Sequence, residues 1–278
     1  MTNNALPVAG EEQELRMGSR LWGLAGTAMS WLGRFFRDLF GAHVDGVRAM
    51  IGLPWLFALL IGWEFAQHVI EVRIGFFDSR EAAKAVADDP SRMIFGWIKM
   101  ISVYVGGFFV IRHLAAQNGG TQLAPVGVAL RRYAPYIAYS LGLFALIFYA
   151  PGIVGKANVM TVRTIVGLGQ VVVEPLLILW IVSAATDGAV GNTIRSARAT
   201  GWLYLWALPL FFVGRIPVNA AHQLLNRYAM GQPDTILWPM LAVDAVVVGL
   251  IISVIPALYV RIARFIGERR VRGACPGS

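Results

Sequence analysis

The chain has 278 residues and a mass of 30.4 kDa, with 57% hydrophobic residues, 14% charged residues and a mean hydropathy of +0.61. A water-soluble domain carries about 25% charged residues, so this composition excludes a soluble fold and points to an integral membrane protein. The net charge of +8, from 24 basic against 16 acidic residues, is carried by arginines between apolar segments. There they orient spans and meet anionic lipid headgroups on the cytoplasmic side, and no basic-aromatic module for nucleic acid accompanies them.

Residues 1–18 are polar and read as a disordered N-terminal tail. Glu11, Glu12 and Glu14 stand where a signal peptide needs positive charge, and Arg34 and Arg37 follow the apolar run, so this segment is expected to stay on the mature protein. Residues 19–50 form an amphipathic interfacial helix and connector. Leu21, Trp22, Ala25, Ala28, Met29, Trp31, Leu32, Phe35, Phe36, Leu39 and Phe40 gather on one side at helical spacing, with Arg20, Thr27, Ser30, Arg34 and Arg37 opposite. Aromatic residues facing arginines suit a helix in the membrane interface. A helix packed on a cytoplasmic partner would show the same pattern.

Residues 51–262 are expected to be an all-α domain of six transmembrane helices. Segments 51–71, 93–112, 133–154, 164–186, 201–222 and 236–260 each approach the length of about 20 apolar residues that a span requires. The fifth is the weakest: Arg215, Pro217 and Asn219 follow its clean apolar run, which suggests a broken or re-entrant segment. Thirteen lysines and arginines flank one set of span ends and seven the other, which puts both termini on the cytoplasmic side. In the longest outside loop, 72–92, Asp78 and Glu81 have capping-box spacing for a short helix that Asp89-Pro90 would stop. Residues 263–278 read as a basic cytoplasmic tail. Cys275, the single cysteine, excludes a disulfide framework and a thiolate metal cluster. The ending Cys275-Pro276-Gly277-Ser278 lacks the aliphatic centre of a prenylation box.

Val126-Gly127-x-x-Leu130-Arg131 is echoed by Val190-Gly191-x-x-Ile194-Arg195, and more loosely by Val44 to Arg48, each ahead of an apolar run. This predicts a three-fold repeat of helix hairpins, although arginine before a span is also common under the positive-inside rule. The stretch from Val173-Glu174-Pro175 to Ile194-Arg195-Ser196-Ala197-Arg198-Ala199-Thr200-Gly201-Trp202 resembles the bacterial six-span group. That group holds YciC-type inner-membrane proteins and the membrane domain of glycerophosphodiester phosphodiesterases. The resemblance covers about a quarter of the chain and implies a multi-pass protein of the bacterial inner membrane, without the soluble phosphodiesterase domain.

Ionisable residues inside spans are the informative ones, since each costs about 2.5–3.5 kcal/mol at a helix centre. Glu64, Lys99, Glu174, Arg215 and Asp244 fall at mid-membrane or in the outer half, and Glu64–Lys99 and Asp244–Arg215 are the expected pairs, with Glu174 left over. Glu64, His68 and Glu71 lie within about 60° on one helix face. They form a proton path or cation site, or His68 and Glu71 simply surface into interfacial water. Glu174-Pro175 places a carboxylate near a backbone carbonyl freed by proline. Lys99 and Arg215 are also candidates for holding a lipid phosphate. Gly106-Gly107 and Gly167-x-Gly169 suggest close helix packing. Trp22, Trp97, Tyr149, Trp202 and Trp238 suggest an aromatic belt.

No HExxH, nucleophile elbow or Walker A loop occurs, so the motifs assign no catalytic, cofactor or metal residues. The expected function is transport or lipid handling through a polar cluster of Glu64, His68, Lys99, Glu174, Arg215 and Asp244. The alternative is a non-catalytic scaffold held by buried ion pairs and partnered by a membrane protein or a second copy. An intramembrane enzyme using paired carboxylates is the third class.

Overall fold

The computed structural model describes residues 9–117, 122–155 and 158–274, which form helices and connections with no strand among them. In order these are α1 (Ala9–Gly52), α2 (Pro54–Arg73), α3 (Arg80–Ala85), α4 (Pro90–Gln117), α5 (Val126–Phe148) and α6 (Ala150–Val154). Then come α7 (Val159–Ala185), α8 (Thr193–Thr200), a 3-10 turn (Gly201–Leu203), α9 (Tyr204–Ala229) and α10 (Asp234–Ala274). Five stretches are long and apolar enough to cross a membrane: Pro54–Arg73, Pro90–Gln117, Val159–Ala185, Thr193–Ala229 and Asp234–Arg270. The protein is a helical membrane protein.

The third expected span, 133–154, is divided. α5 ends at Phe148, and Ala150-Pro151 opens α6, because proline fits the first turn of a new helix better than the interior of an old one. α5 instead extends back to Val126, which brings Arg131 and Arg132 into the helix and dilutes its apolar length. The repeated segments are also built differently. Val126 starts one continuous helix, whereas the segment at Val190 becomes a short helix joined through Gly201 (φ +48°) to α9. α9 runs unbroken through Arg215, Pro217 and Asn219, correcting the broken or re-entrant expectation. The Asn219 amide helps there by donating to the Arg215 carbonyl at 2.9 Å.

α10 is the centre of the bundle, with α1, α2, α4, α7 and α9 packed against it. Phe108, Ile178, Leu210, Phe211, Leu258 and Ile262 are fully enclosed in this core. α1 runs antiparallel to α10: Arg34 meets Glu268 at 2.9 Å, and Arg261 meets Asp38 at 3.3 Å and Asp45 at 2.7 Å. The apolar side chains expected on one face of α1 thus serve two surfaces. Trp31, Phe35 and Leu39 pack on the core, while Met29, Leu32, Phe36, Phe40, Val44, Val47 and Ile51 form an exposed stripe. Arg34, expected on the polar side, is turned to α10.

Close approach in this seam needs glycine. A Cβ at Gly46 would lie 2.8 Å from Val254 Cγ2 and 3.2 Å from the Val254 backbone. Gly46→Ala is expected to destabilise the protein by about 1–3 kcal/mol through overpacking, measured as chemical unfolding in detergent. Wild-type stability would show that the seam slides apart freely. At Gly167 and Gly169, by contrast, a Cβ would meet nothing within 4 Å, so they are not packing points.

Between α2 and α4 the short helix forms as expected, but its cap is Ser79, whose hydroxyl accepts from the Ala82 N–H at 3.0 Å. Asp89 opens the next helix. Its carboxylate accepts the Ser91 N–H at 2.9 Å and the Ser91 hydroxyl. The hydroxyl first, and the backbone N–H groups of Ser91 and Arg92 as well, hold this carboxyl below the usual aspartate range. Phe77, Ala229, Leu237 and Leu241 make a small second core beyond α2, where Gly231 N–H bonds to the Phe77 carbonyl at 2.8 Å.

Residues 9–18 of the expected tail belong to α1, and 263–274 of the other tail to α10. The remaining tail positions 1–8, Gly119-Gly120, Lys156 and Cys275–Ser278 lie outside the described residues, as do the side chains of Leu21, Trp22, Ala25 and Ala28.

Candidate functional site: a polar cavity and a buried carboxylate–histidine cluster

Glu174 sits on α7 at 3% exposure, one residue before Pro175. The Ser196 hydroxyl of α8 inserts into the α7 ladder just beyond: it accepts from the Trp180 N–H at 3.2 Å and donates to the Leu176 carbonyl at 2.6 Å. A side chain inserted next to a proline is a physical cause of helix bending. The Tyr204 hydroxyl donates to the Val172 carbonyl at 2.9 Å. Glu174 accepts the Tyr136 hydroxyl at 2.9 Å and the Tyr259 hydroxyl as well. Arg215 lies 3.9 Å from its other oxygen and over the Phe211 ring at 4.8 Å.

These groups border a cavity of about 280 Å³ between α4, α5, α7, α9 and α10. Lys99, Gln170, Glu174, Arg215, Asn219 and His222 supply its polar wall, and Val103, Val248, Ile251 and Ile255 its apolar one. Arg215 Nη1 is buried there with no hydrogen-bond acceptor among the described residues. An unsatisfied charged donor of this kind costs free energy until an acceptor or water reaches it.

A second cluster adjoins the cavity through Lys99 and His222. Lys99 Nζ donates to Glu64 Oε1 at 2.7 Å. His68 faces Asp244 through Nε2 at 3.0 Å and Glu71 through Nδ1 at 3.1 Å, with Glu64 at 3.7 Å from Nε2. Asp244 also meets His222 Nδ1 and Asn226 Nδ2, both at 2.8 Å. Glu71 is held by Gln67 and Arg92, each at 3.0 Å. His68, Glu64 and Asp244 are each at most 1% exposed.

Comparison with protein-family models, curated proteins and solved structures found no match to this chain. Its chemistry therefore rests on the geometry.

That geometry joins all six expected residues into two adjoining groups, Glu174 and Arg215 on the cavity, Glu64, His68 and Asp244 in the cluster, with Lys99 between them. The Glu64–Lys99 pair forms as expected. Asp244–Arg215 does not: Asp244 goes to two histidines, and Arg215 turns to Glu174. His68 and Glu71 do not surface either, since Phe77 packs edge-on to the His68 ring at 6.0 Å and closes that end. Sequence reasoning missed His222, Asn226, Arg92 and the hydroxyls of Tyr136 and Tyr259. Arg215, Asn219, His222 and Asn226 follow each other at spacings of four, three and four, a single polar stripe on a helix. The signal was present, but ending the fifth span at 222 concealed it.

Proposed function

We propose that this protein is a transporter or lipid-handling protein whose cavity receives the anionic head of a small amphiphile. The observation that carries this is Arg215 Nη1, buried 3.9 Å from Glu174 with no hydrogen-bond acceptor among the described residues, in a cavity that Lys99 also lines and that has one apolar wall. An ammonium and a guanidinium suit a phosphate or carboxylate head, and the aliphatic wall suits its chain. Burial in a wall of spanning helices favours transfer or holding of a ligand over chemistry upon it.

The frame for this function is a bacterial inner-membrane protein of six crossings with cytoplasmic termini, related to the YciC-type group. α5 supports the sixth crossing. Its beginning lies where Arg112 of α4 donates to the Ala124 carbonyl at 2.8 Å, and Tyr149, just past its end, bonds Trp97 near the opposite end of α4 at 2.9 Å. α5 thus runs the length of its spanning neighbour. The exposed stripe of α1 supports contact with the lipid interface. The Ser196 insertion lies within the segment that carries the family resemblance.

The second reading is a scaffold with internal ion pairs, favoured by the partners that Glu64, Glu71, Asp244 and Glu174 all find. Water access separates the two. In a Cys275→Ser background, Val103→Cys and Ile251→Cys face the cavity, Ile178→Cys is a fully buried control, and Lys84→Cys a loop control. A small membrane-impermeant maleimide is expected to label the cavity positions and Lys84→Cys, with Ile178→Cys silent. A short-chain phosphatidic acid should slow cavity labelling several-fold. Labelling of the loop position alone, from either side of the membrane, would leave the scaffold as the function.

A further inference from the structure

One potential ligand atom from each of Glu64, His68 and Asp244 lies within 4.8 Å of the other two, on side chains from α2 and α10 that water does not reach. Two carboxylates converge on one imidazole nitrogen: His68 Nε2 is 3.0 Å from Asp244 and 3.7 Å from Glu64. A single proton on Nε2 bonds one of them well. A cation would draw both inward by a few tenths of an ångström to about 1 Å, since ligand atoms sharing one ion at about 2.0–2.2 Å sit about 3.0–3.5 Å apart. Glu64 supplies an independent sign of a ligand. Lys99 bonds Oε1, the oxygen that lies 3.7 Å from His68 Nε2, and the other oxygen, Oε2, is buried without a hydrogen-bond partner among the described residues. A buried carboxylate oxygen with no donor is a costly omission unless something binds it.

We infer that Glu64, His68 and Asp244 form a binding site for one divalent transition-metal ion, beside the cavity and separate from it. The supporting shell is the kind such sites need. Glu71 faces Nδ1 of His68 and so leaves Nε2 to act as ligand, while Gln67 and Arg92 fix Glu71 in turn. His222 and Asn226 fix Asp244. One imidazole with two carboxylates fits Mn²⁺, Fe²⁺ or Zn²⁺ better than Ca²⁺, which prefers six to eight oxygens, or Cu⁺, which prefers sulfur. The site stands whether or not the cavity carries an amphiphile.

Mn²⁺ added to the chelator-treated, purified full-length protein tests this. Electron paramagnetic resonance is expected to count one bound ion per chain, and its pulsed form to show coupling to an imidazole nitrogen. His68→Gln and Asp244→Asn, which alter ligands themselves, should weaken binding by at least the tenfold to a hundredfold, roughly, that losing a supporting partner costs. His113→Gln, on a histidine outside the cluster, should not. Should the cluster variants fail to fold, the wild-type spectrum decides alone. Absence of bound Mn²⁺, a spectrum without nitrogen coupling, or unchanged binding in a folded His68→Gln protein would overturn the site, and none of these outcomes bears on cavity labelling.

Discussion

Asp244→Ala is expected to cost about 3–5 kcal/mol of stability, the penalty for removing one partner from a buried ionic cluster. That is a large share of the roughly 5–15 kcal/mol that holds a protein folded. Asp244 has 0% exposure and joins three helices: His68 on α2 and His222 and Asn226 on α9 all reach its carboxylate on α10. Without it, their polar atoms lose the acceptor while remaining enclosed. Asp244→Asn retains the shape and one acceptor oxygen, so its cost should be less than half as large. Unfolding followed by tryptophan fluorescence in detergent measures both. An alanine variant within about 1 kcal/mol of wild type would mean that water enters the cluster and replaces the carboxylate.

Lys99→Met is expected to cost a similar 3–5 kcal/mol by removing the ammonium that pairs at 2.7 Å with Glu64, a side chain at 1% exposure. The double variant Lys99→Met/Glu64→Met should recover most of the loss, because the desolvation cost of both charges disappears with them. A double-mutant cycle reads this as coupling; neighbours in one ionic network reach about 0.5–3 kcal/mol. Additive losses would show that the 2.7 Å contact contributes little. Arg215→Met should be milder. Its partner Glu174 keeps the hydroxyls of Tyr136 and Tyr259, and the Arg215 contact is already long at 3.9 Å. A protein stable with Arg215→Met but no longer protected from labelling by phosphatidic acid would tie Arg215 to the ligand.

The amino-acid pattern revealed the membrane class, the positions of most spans and six ionisable residues that the bundle gathers into two adjoining groups, because these follow from hydropathy summed over about 20 residues and from the cost of single charges. It did not reveal who pairs with whom. Arg215 and Asp244 look complementary in sign and depth, yet helix rotation turns Arg215 toward Glu174 and presents Asp244 to two histidines. Nor did it reveal the dual use of α1. The helical stripe is broad enough to cover a partner and still leave Leu32, Phe36 and Phe40 exposed, and only the position of α10 divides it. Tyr136 and Tyr259 were invisible as site residues because a tyrosine in a span reads as apolar until its hydroxyl finds a carboxylate. Where local rules did fail, as with the apolar run broken at Tyr149, the cause was a single proline placed where a new helix could begin.

The central place of α10 has a bearing on biogenesis. His68 and its acceptor Asp244 are 176 positions apart, and Asp38 waits even longer for Arg261. At synthesis rates of about 5–20 residues per second, the earlier spans spend roughly ten to thirty-five seconds in or near the bilayer before Asp244 is made. During that interval His68 and Glu64 must be sheltered by water, by provisional partners on α4 such as Lys99, or by the insertion machinery. The bundle therefore closes from its latest described helix backward. A ribosome that stalls before α10 would leave in the membrane an open half-structure with its charges uncovered, a distinctive substrate for membrane quality control.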